Sequence, residues 1–241
     1  MATASLVNGG RLIRRLGAMV VHETLRFYGY WRSSAAYRVR IALNLKHLHY
    51  ETVPVHLIDG GGQQHTPEYR AIQPQGLVPA LMHGNRVLRQ SMAIIEYLDE
   101  TWPDPPLLPA KARDRARARA IAQIIACDVH PLGNLRVLQH FEREWGVPLP
   151  EREEWVRHWV REGLGAVESM LAEHHSTGTY CDGELPGLPD CCLIPQVYNA
   201  RRFGVDLENF PTIRRINDTC MKLPEFNAAR PDLQPDAPTA T

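Results

Sequence analysis

The sequence predicts a two-part fold, with an α/β unit first and an all-helical unit after it. From Leu25 to about Glu100, short β-type segments alternate with helical ones, a pattern typical of a small α/β domain with a mixed sheet. A proline-rich stretch follows at 102–109, and this composition is that of a semi-rigid linker. From Lys111 to Leu223 apolar residues recur at helical spacing, which predicts helices alone.

The first half alternates strand and helix. The run 25–28 is short and mostly apolar, and from Ala35 onward the apolar residues Val39, Ala42 and Leu43 recur at helical spacing. The same reasoning along this half predicts strands at 25–28, 50–55, 79–82 and 86–88, and helices at 35–46, 67–72 and 91–100.

The second half contains several amphipathic segments. Isoleucines from 121 and leucines up to 138 predict one long helix with a kink at Pro131, which lacks the N–H that a helix interior needs. A second helix covers 155–171, and further helices lie near 190–203 and 212–222. We expect the Pro- and Ala-rich tail after Pro224 to be loosely ordered.

These patterns predict where the domains begin and end. Residues 1–24 carry arginines and no acid before Glu23, which resembles a targeting peptide, but the apolar stretch is too short for a secretory signal. We interpret this segment as a disordered extension, with Met19 as an alternative start. The division is then 25–104 for the α/β domain, 105–111 for the linker, 112–235 for the helical domain and 236–241 for the tail.

Composition excludes several function classes. The 27 basic and 27 acidic residues balance, so neither nucleic acid nor an anionic membrane is indicated as a partner. No apolar run approaches the roughly 20 residues that span a bilayer, and the 11 histidines lack metal-ligand spacing, so no metal is expected. The five cysteines lie in the second half without a C-x-x-C pair. We therefore expect reduced thiols and a cytoplasmic location.

Two adjacent hydroxyls, Ser33 and Ser34, lie where the first strand turns into the first helix. A helix N-terminus has unpaired N–H groups and the positive end of the helix dipole, which stabilise a thiolate or a carboxylate. The residues alone also allow a simpler interpretation, in which Ser34 only caps the helix.

Several motifs resemble one enzyme family in the same order along the chain. The run Val78-Pro79-Ala80-Leu81 resembles a loop in which a cis-proline precedes a sheet-edge strand, and Gln90-Ser91 resembles the start of a Q/E-S-x-A-I-x-x-Y-L motif. Further agreement is found at 33–43 with S-S-C-x-x-R-V-R-I-A-L, at Gly62-Gln63-Gln64, at 128–136 and at 194–203. Together they resemble the zeta class of glutathione transferases, which includes maleylacetoacetate and maleylpyruvate isomerases.

The resemblance implies a thioredoxin-like N-terminal α/β domain plus an all-α C-terminal domain, the soluble glutathione transferase fold, in a homodimer. It implies glutathione as cofactor, whose thiolate adds to a cis double bond so that the bond can rotate, and a small dicarboxylate as substrate. The expected reaction converts maleylacetoacetate to fumarylacetoacetate in tyrosine and phenylalanine breakdown. The alternatives are isomerisation of maleylpyruvate, conjugation or dehalogenation of α-haloacids, and a non-catalytic glutathione-fold binding protein.

The resemblance also assigns roles to residues. It implies catalytic roles for Ser33, Ser34 and Arg38, with Ser33 favoured for the thiolate. It places glutathione against Ser33, Ser34, Gln64, Val78, Gln90, Ser91, His130, Asn134 and Arg136, with Ser91 capping its helix beside the γ-glutamyl carboxylate. It makes Arg32, Arg38 and Arg202 candidates for the carboxylates of the substrate, and one sequence does not separate Arg201 from Arg202.

Three departures from the family pattern matter. Ala35 replaces the family cysteine, which excludes a mechanism that needs that thiol. Gly187 stands where a Ser/Thr-x-x-Asp box has its hydroxyl, and Asp190 keeps only the acid; the loss costs a few tenths of a kcal/mol, so we expect the fold to survive. Gly133 stands where asparagine is common, which leaves that glutathione contact open.

Overall fold

A computed structural model of the protein describes residues 24–238. The predicted extension at 1–24 falls on residues 1–23 except for its last position, and the end of the predicted tail falls on residues 239–241. Both segments therefore lie outside the described residues.

The N-terminal half is built on a four-stranded mixed sheet with the order β2-β1-β3-β4. β1 runs parallel to β2 and antiparallel to β3, and β3 is antiparallel to β4. The predicted α/β fold with a mixed sheet is confirmed. β3 is an inner strand, so the expectation that the cis-proline precedes an edge strand is wrong; β4 forms that edge. The strands are β1 (Leu25–Gly29), β2 (Tyr50–Pro54), β3 (Ala80–His83) and β4 (Arg86–Arg89).

Three helices accompany the sheet: α1 (Ser34–Leu45), α2 (Pro67–Ile72) and α3 (Ser91–Thr101). The Ser33 Oγ accepts a hydrogen bond from the Ala36 N–H at 3.2 Å. Ser33, and not Ser34, is therefore the N-cap of α1. α1 is buried along nearly its whole length and packs against a helix of the second half.

The remaining helices form the second half, as predicted. They are α4 (Ala112–Gln123), the single turn α5 (His130–Leu132), α6 (Leu135–Trp145), α7 (Leu149–Ala172), α8 (Leu188–Arg202), α9 (Pro211–Cys220) and α10 (Pro224–Ala228). α8 lies at the centre and contacts α1, α4 and α9.

The predicted single helix through Pro131 is wrong, because the chain there forms several pieces. A π-helical turn, Ile124–Val129, follows α4, and the His130 N–H bonds to the Ile125 carbonyl five residues back. α6 then starts afresh, since the Asn134 side chain accepts a hydrogen bond from the Arg136 N–H at 3.1 Å. The break turns the segment at 130–134 away from the axis of α4.

The tail after Pro224 is packed, which contradicts the expectation of loose order. Phe226 in α10 is fully buried in the core. The Arg40 Nε donates to the Ala229 carbonyl at 3.0 Å, and the Trp31 N–H donates to Asp236 Oδ2 at 2.8 Å. Composition predicted disorder because it does not record that one aromatic residue and these hydrogen bonds fasten the segment to α1.

The linker at 102–109 is held by Lys46, the residue after α1. The buried Lys46 ammonium donates to Asp99 Oδ1 at 2.6 Å, to the Trp102 carbonyl at 2.7 Å and to the Pro105 carbonyl. Asp99 Oδ1 also accepts the Leu107 N–H at 2.7 Å. Within residues 24–238, no helix is long and apolar enough to cross a bilayer.

The start of α8 depends on Asp190, which is fully buried. Its carboxylate accepts the Gly187 N–H at 2.9 Å and the Cys181 N–H at 3.0 Å. The acid of the box therefore holds the turn without the hydroxyl that the family pattern has. A Cβ at Gly187 would lie 2.7 Å from the Leu107 carbonyl oxygen, so glycine allows the linker to lie against α8.

We expect Gly187→Ser to lower the free energy of unfolding by about 1–3 kcal/mol, because the added side chain overpacks against backbone. Serine is the better N-cap by a few tenths of a kcal/mol, which is too little to compensate. Urea unfolding measures the change. The control is Gly165→Ser in α7, where a Cβ would meet nothing within 4 Å. A variant at 187 that is more stable than the unchanged protein contradicts the prediction.

Candidate active site

A cavity of about 620 Å³ lies between the N-terminal half and the helical half. Its walls come from the β1–α1 loop, the loops on either side of α2, the turn before α6 and the end of α8. Most predicted site residues line it: Arg32, Ser33, Ser34, Gln64, Val78, His130, Asn134, Arg136 and Arg202. Arg38, Gln90, Ser91 and Arg201 are outside this lining.

The two serines lie together at the positive end of α1. Because the Ser33 Oγ accepts the Ala36 N–H, its own hydroxyl proton remains able to donate to a ligand in the cavity. Ser34 is the first residue of α1, is 9% exposed and also lines the cavity. Hydroxyl and helix dipole both favour a negative charge at this point.

Two residues of the N-terminal half present unpaired peptide-like groups to the cavity. The Gln64 Nε2 donates to the Leu57 carbonyl at 3.1 Å, whereas the buried Gln64 Oε1 has no partner within residues 24–238. Val78 precedes Pro79 through a cis peptide bond, as the resemblance implies. The backbone groups of Val78 bond to nothing else in the described part of the chain. A peptide ligand can satisfy such groups by adding as an extended strand.

The turn from β4 into α3 corrects the expectation that Ser91 is a helix cap. Gln90 is the N-cap, with φ of 69°, and Ser91 is the first residue of α3. A positive φ is uncommon for a residue with a Cβ and costs free energy. The Gln90 side chain donates to Gln75 Oε1 at 2.8 Å, and Gln75 lines the cavity. Gln90 and Ser91 therefore lie directly behind one wall of the cavity.

Arg38 is behind the same wall and is 1% exposed. Its Nη1 donates to the Ser91 Oγ at 3.3 Å, while no ion pair to it is found within residues 24–238. Burial lowers the pKa of the Arg38 guanidinium. Arg38 is thus neither in the cavity nor a solvated or ion-paired side chain of the surface.

The helical half contributes His130 and Asn134, and both reach the cavity because the helix breaks between them. Burial, followed by the nearby Arg38 charge, lowers the pKa of His130 to about 3. The imidazole is therefore neutral near pH 7. Sequence periodicity missed this break, because a π-helical turn leaves the apolar spacing around it almost unchanged.

Two arginines of the cavity lie close to one another. The pKa of Arg202 is lowered by burial first and by the Arg32 guanidinium second. Arg202 stacks on the Phe203 ring at 4.3 Å and donates to Asn199 Oδ1 at 3.2 Å. Arg201 instead points to Asp218, 4.0 Å away. Arg32 and Arg202 together suit a ligand with two negative charges, since each guanidinium matches one carboxylate.

Some cavity residues were missed by the sequence interpretation. Arg152 lines the cavity and makes two hydrogen bonds of 2.9 Å to the Glu142 carboxylate, which tie α7 to α6. Arg70 also lines it and donates to the Pro74 carbonyl at 2.6 Å. Neither belongs to a motif, and the Arg152 pairing joins two separate helices, so no signal in the sequence identifies them.

None of the five cysteines lines this cavity. Burial raises the pKa of the Cys181, Cys191, Cys192 and Cys220 thiols. Across residues 24–238, no group of His, Cys, Asp or Glu side chains could hold a metal ion. A thiolate at this site must therefore come from a ligand.

Comparisons with known proteins agree with this geometry. Residues 27–106 match the family model described as "Glutathione S-transferase, N-terminal domain". A probable maleylacetoacetate isomerase from Vibrio cholerae is 49% identical over 214 residues, which cover 89% of this chain and 99% of the relative.

Two solved structures are similar over nearly the whole described chain. A holo maleylpyruvate isomerase, described as a bacterial zeta-class glutathione S-transferase, is 44% identical with a TM-score of 0.86, and the match covers 88% of this chain and 100% of that chain. A maleylacetoacetate isomerase from Methylobacterium extorquens AM1, solved with bound malonate and glutathione, is 43% identical with a TM-score of 0.85, covering 89% and 100%.

Proposed function

This chain belongs to the zeta class of glutathione transferases, and from that premise we propose that it is the glutathione-dependent isomerase of maleylacetoacetate. The product is fumarylacetoacetate, the trans isomer. The observation that carries the proposal is the cavity itself, which sets the Ser33 hydroxyl at a helix N-terminus together with the Arg32 and Arg202 guanidinium groups. Relatives that carry the names of maleylacetoacetate and maleylpyruvate isomerases support it.

The residues present fit glutathione. Gln64 has a buried, unpartnered Oε1 and Val78 has unpaired backbone groups, and both would bind its peptide groups. His130 and Asn134 would bind it from the helical half, and Arg136 is at the cavity wall for its second carboxylate. When bound, glutathione supplies the thiolate that adds reversibly to the double bond of the substrate.

The protein has three tasks in this reaction. The Ser33 hydroxyl and the N–H groups at the start of α1 stabilise a thiolate, because hydrogen bonds to the charged form lower a thiol pKa. Arg32 and Arg202 hold the carboxylates of the substrate, so that its double bond lies over the serines. Their charge also stabilises the negative charge that develops on the substrate.

An assay of cis-to-trans isomerisation with and without glutathione tests the proposed function. We expect turnover of maleylacetoacetate that requires glutathione and leaves its concentration unchanged. Absence of turnover with glutathione bound would favour the non-catalytic binding protein. Higher kcat/KM for maleylpyruvate, or for an α-haloacid, would move the assignment to that alternative, which the same cavity residues would serve.

We also propose a homodimer, which rests on the resemblance to this family. The chain has a mass of 27.3 kDa, and sedimentation at micromolar concentration is expected to give a species of twice that mass. A 27.3 kDa species would rule out a stable pair. The cytoplasmic location, the role in tyrosine and phenylalanine breakdown, and the domain limits 25–104 and 112–235 rest on the same resemblance.

A further inference from the structure

Arg38 is a buried cation with no counter-charge in the described chain. Its guanidinium is 1% exposed, and Nη1 donates to the Ser91 Oγ at 3.3 Å. The other edge, formed by Nε and Nη2, has no hydrogen-bond partner within residues 24–238. That edge is the fork that elsewhere in proteins binds a carboxylate with two parallel bonds.

Such an arrangement disfavours the free protein. An unpaired buried charge costs much more than a buried apolar side chain of similar size. The neighbouring His130 is neutral, so it provides no compensation. Arg40, one turn position away on α1, shows the contrast: it is equally buried, but Nε and Nη2 donate to the Ala229 and Trp31 carbonyls at 3.0 Å each. Arg40 supports the fold, whereas Arg38 leaves two donors unsatisfied.

The contact to Ser91 gives the charge a direction. Because the Ser91 Oγ accepts from Arg38, the hydroxyl proton must point elsewhere, and Ser91 is the first residue of α3. The first N–H groups of a helix lack partners within the helix. The strained Gln90 turn places this helix end directly behind the cavity wall that Gln75 forms. A carboxylate there would receive the Ser91 proton, the helix N–H groups and the field of Arg38.

We propose that Arg38 is a positioning residue for glutathione, and that its buried charge, acting through Ser91, selects the carboxylate of the γ-glutamyl group. The inference rests on the proposed use of glutathione. The ligand supplies the counter-charge that the fold withholds. The free protein is consequently less stable than it would be with a neutral side chain at this position.

The test compares glutathione with an analogue in which a 4-aminobutanoyl group replaces the γ-glutamyl group, so that only this carboxylate is missing. Calorimetry gives both dissociation constants for the unchanged protein, Arg38→Met, Arg38→Lys and the matched control Arg40→Met. We expect the unchanged protein to prefer glutathione by about tenfold or more. Arg38→Met should lose most of that preference, and Arg38→Lys should restore part of it, because lysine keeps the charge.

Melting temperatures without ligand provide the second measurement. Arg38→Met should melt at or above the unchanged protein and gain less on saturation with glutathione. Arg40→Met should melt lower and keep the full preference for the carboxylate. If Arg38→Met retains the preference, or if it melts lower or does not fold, the inference is overturned. If the unchanged protein does not bind glutathione at all, the proposed function fails instead.

Discussion

Replacing Ser33 with alanine is expected to lower kcat/KM by about 10²-fold or more, while the protein stays folded. Ser33 lies in the cavity at the positive end of α1, and its Oγ already accepts the Ala36 N–H at 3.2 Å. Its proton is therefore directed to the ligand side, where a thiolate would accept it. Removal of one well-placed donor from a site where charge develops typically costs a factor of this size.

Ser33→Ala also removes the N-cap of α1, which costs about 0.5–2 kcal/mol of stability. Ser33→Gly separates the two effects, because glycine caps a helix almost as well as serine but has no hydroxyl. Both variants should lose activity equally, whereas only the alanine variant should unfold at lower urea concentration. Ser34→Ala is the control for the neighbouring hydroxyl. Loss of rate in that variant alone would assign the thiolate to Ser34.

The local elements of the N-terminal half could be predicted from sequence because their patterns are short and contiguous. The strand at 25–28 and the helix at 91–100 each differ from the structure by a single residue at one end. The break at 124–134 could not be predicted, because a bond from the His130 N–H to the carbonyl five residues back leaves the apolar spacing helical. The packing of Phe226 was missed because it depends on contacts with distant parts of the chain.

The candidate site divides in the same way. Ser33, Ser34, His130 and Asn134 belong to contiguous motifs, and the structure places all of them around one cavity. The position of Arg38 behind Ser91 joins residues 53 positions apart, so no local pattern reveals it. The same holds for the choice between Arg201 and Arg202. Adjacent residues on a helix point in different directions, and only the packed structure shows which one lines the cavity.

Replacing Arg32 and Arg202 together is expected to raise KM for the dicarboxylate substrate by about 10²-fold or more. Both guanidinium groups line the cavity, and Arg32 lowers the pKa of Arg202, so their charges repel in the free protein. A dianion bound between them removes that repulsion. A hydrogen-bonded charge pair contributes roughly 1.5–3 kcal/mol, so each single Arg→Met change should raise KM by about tenfold or more.

The affinity for glutathione separates this role from a role in cofactor binding. Arg32→Met and Arg202→Met should each leave the dissociation constant of glutathione nearly unchanged, because the cofactor would be held by Gln64, Val78 and the serines. Arg201→Met is the matched control, since Arg201 neighbours Arg202 in the chain but points to Asp218 outside the cavity lining. It should leave KM unaltered. If the two cavity variants lose glutathione and keep normal KM for the dicarboxylate, these arginines belong to the cofactor site and the substrate is held elsewhere.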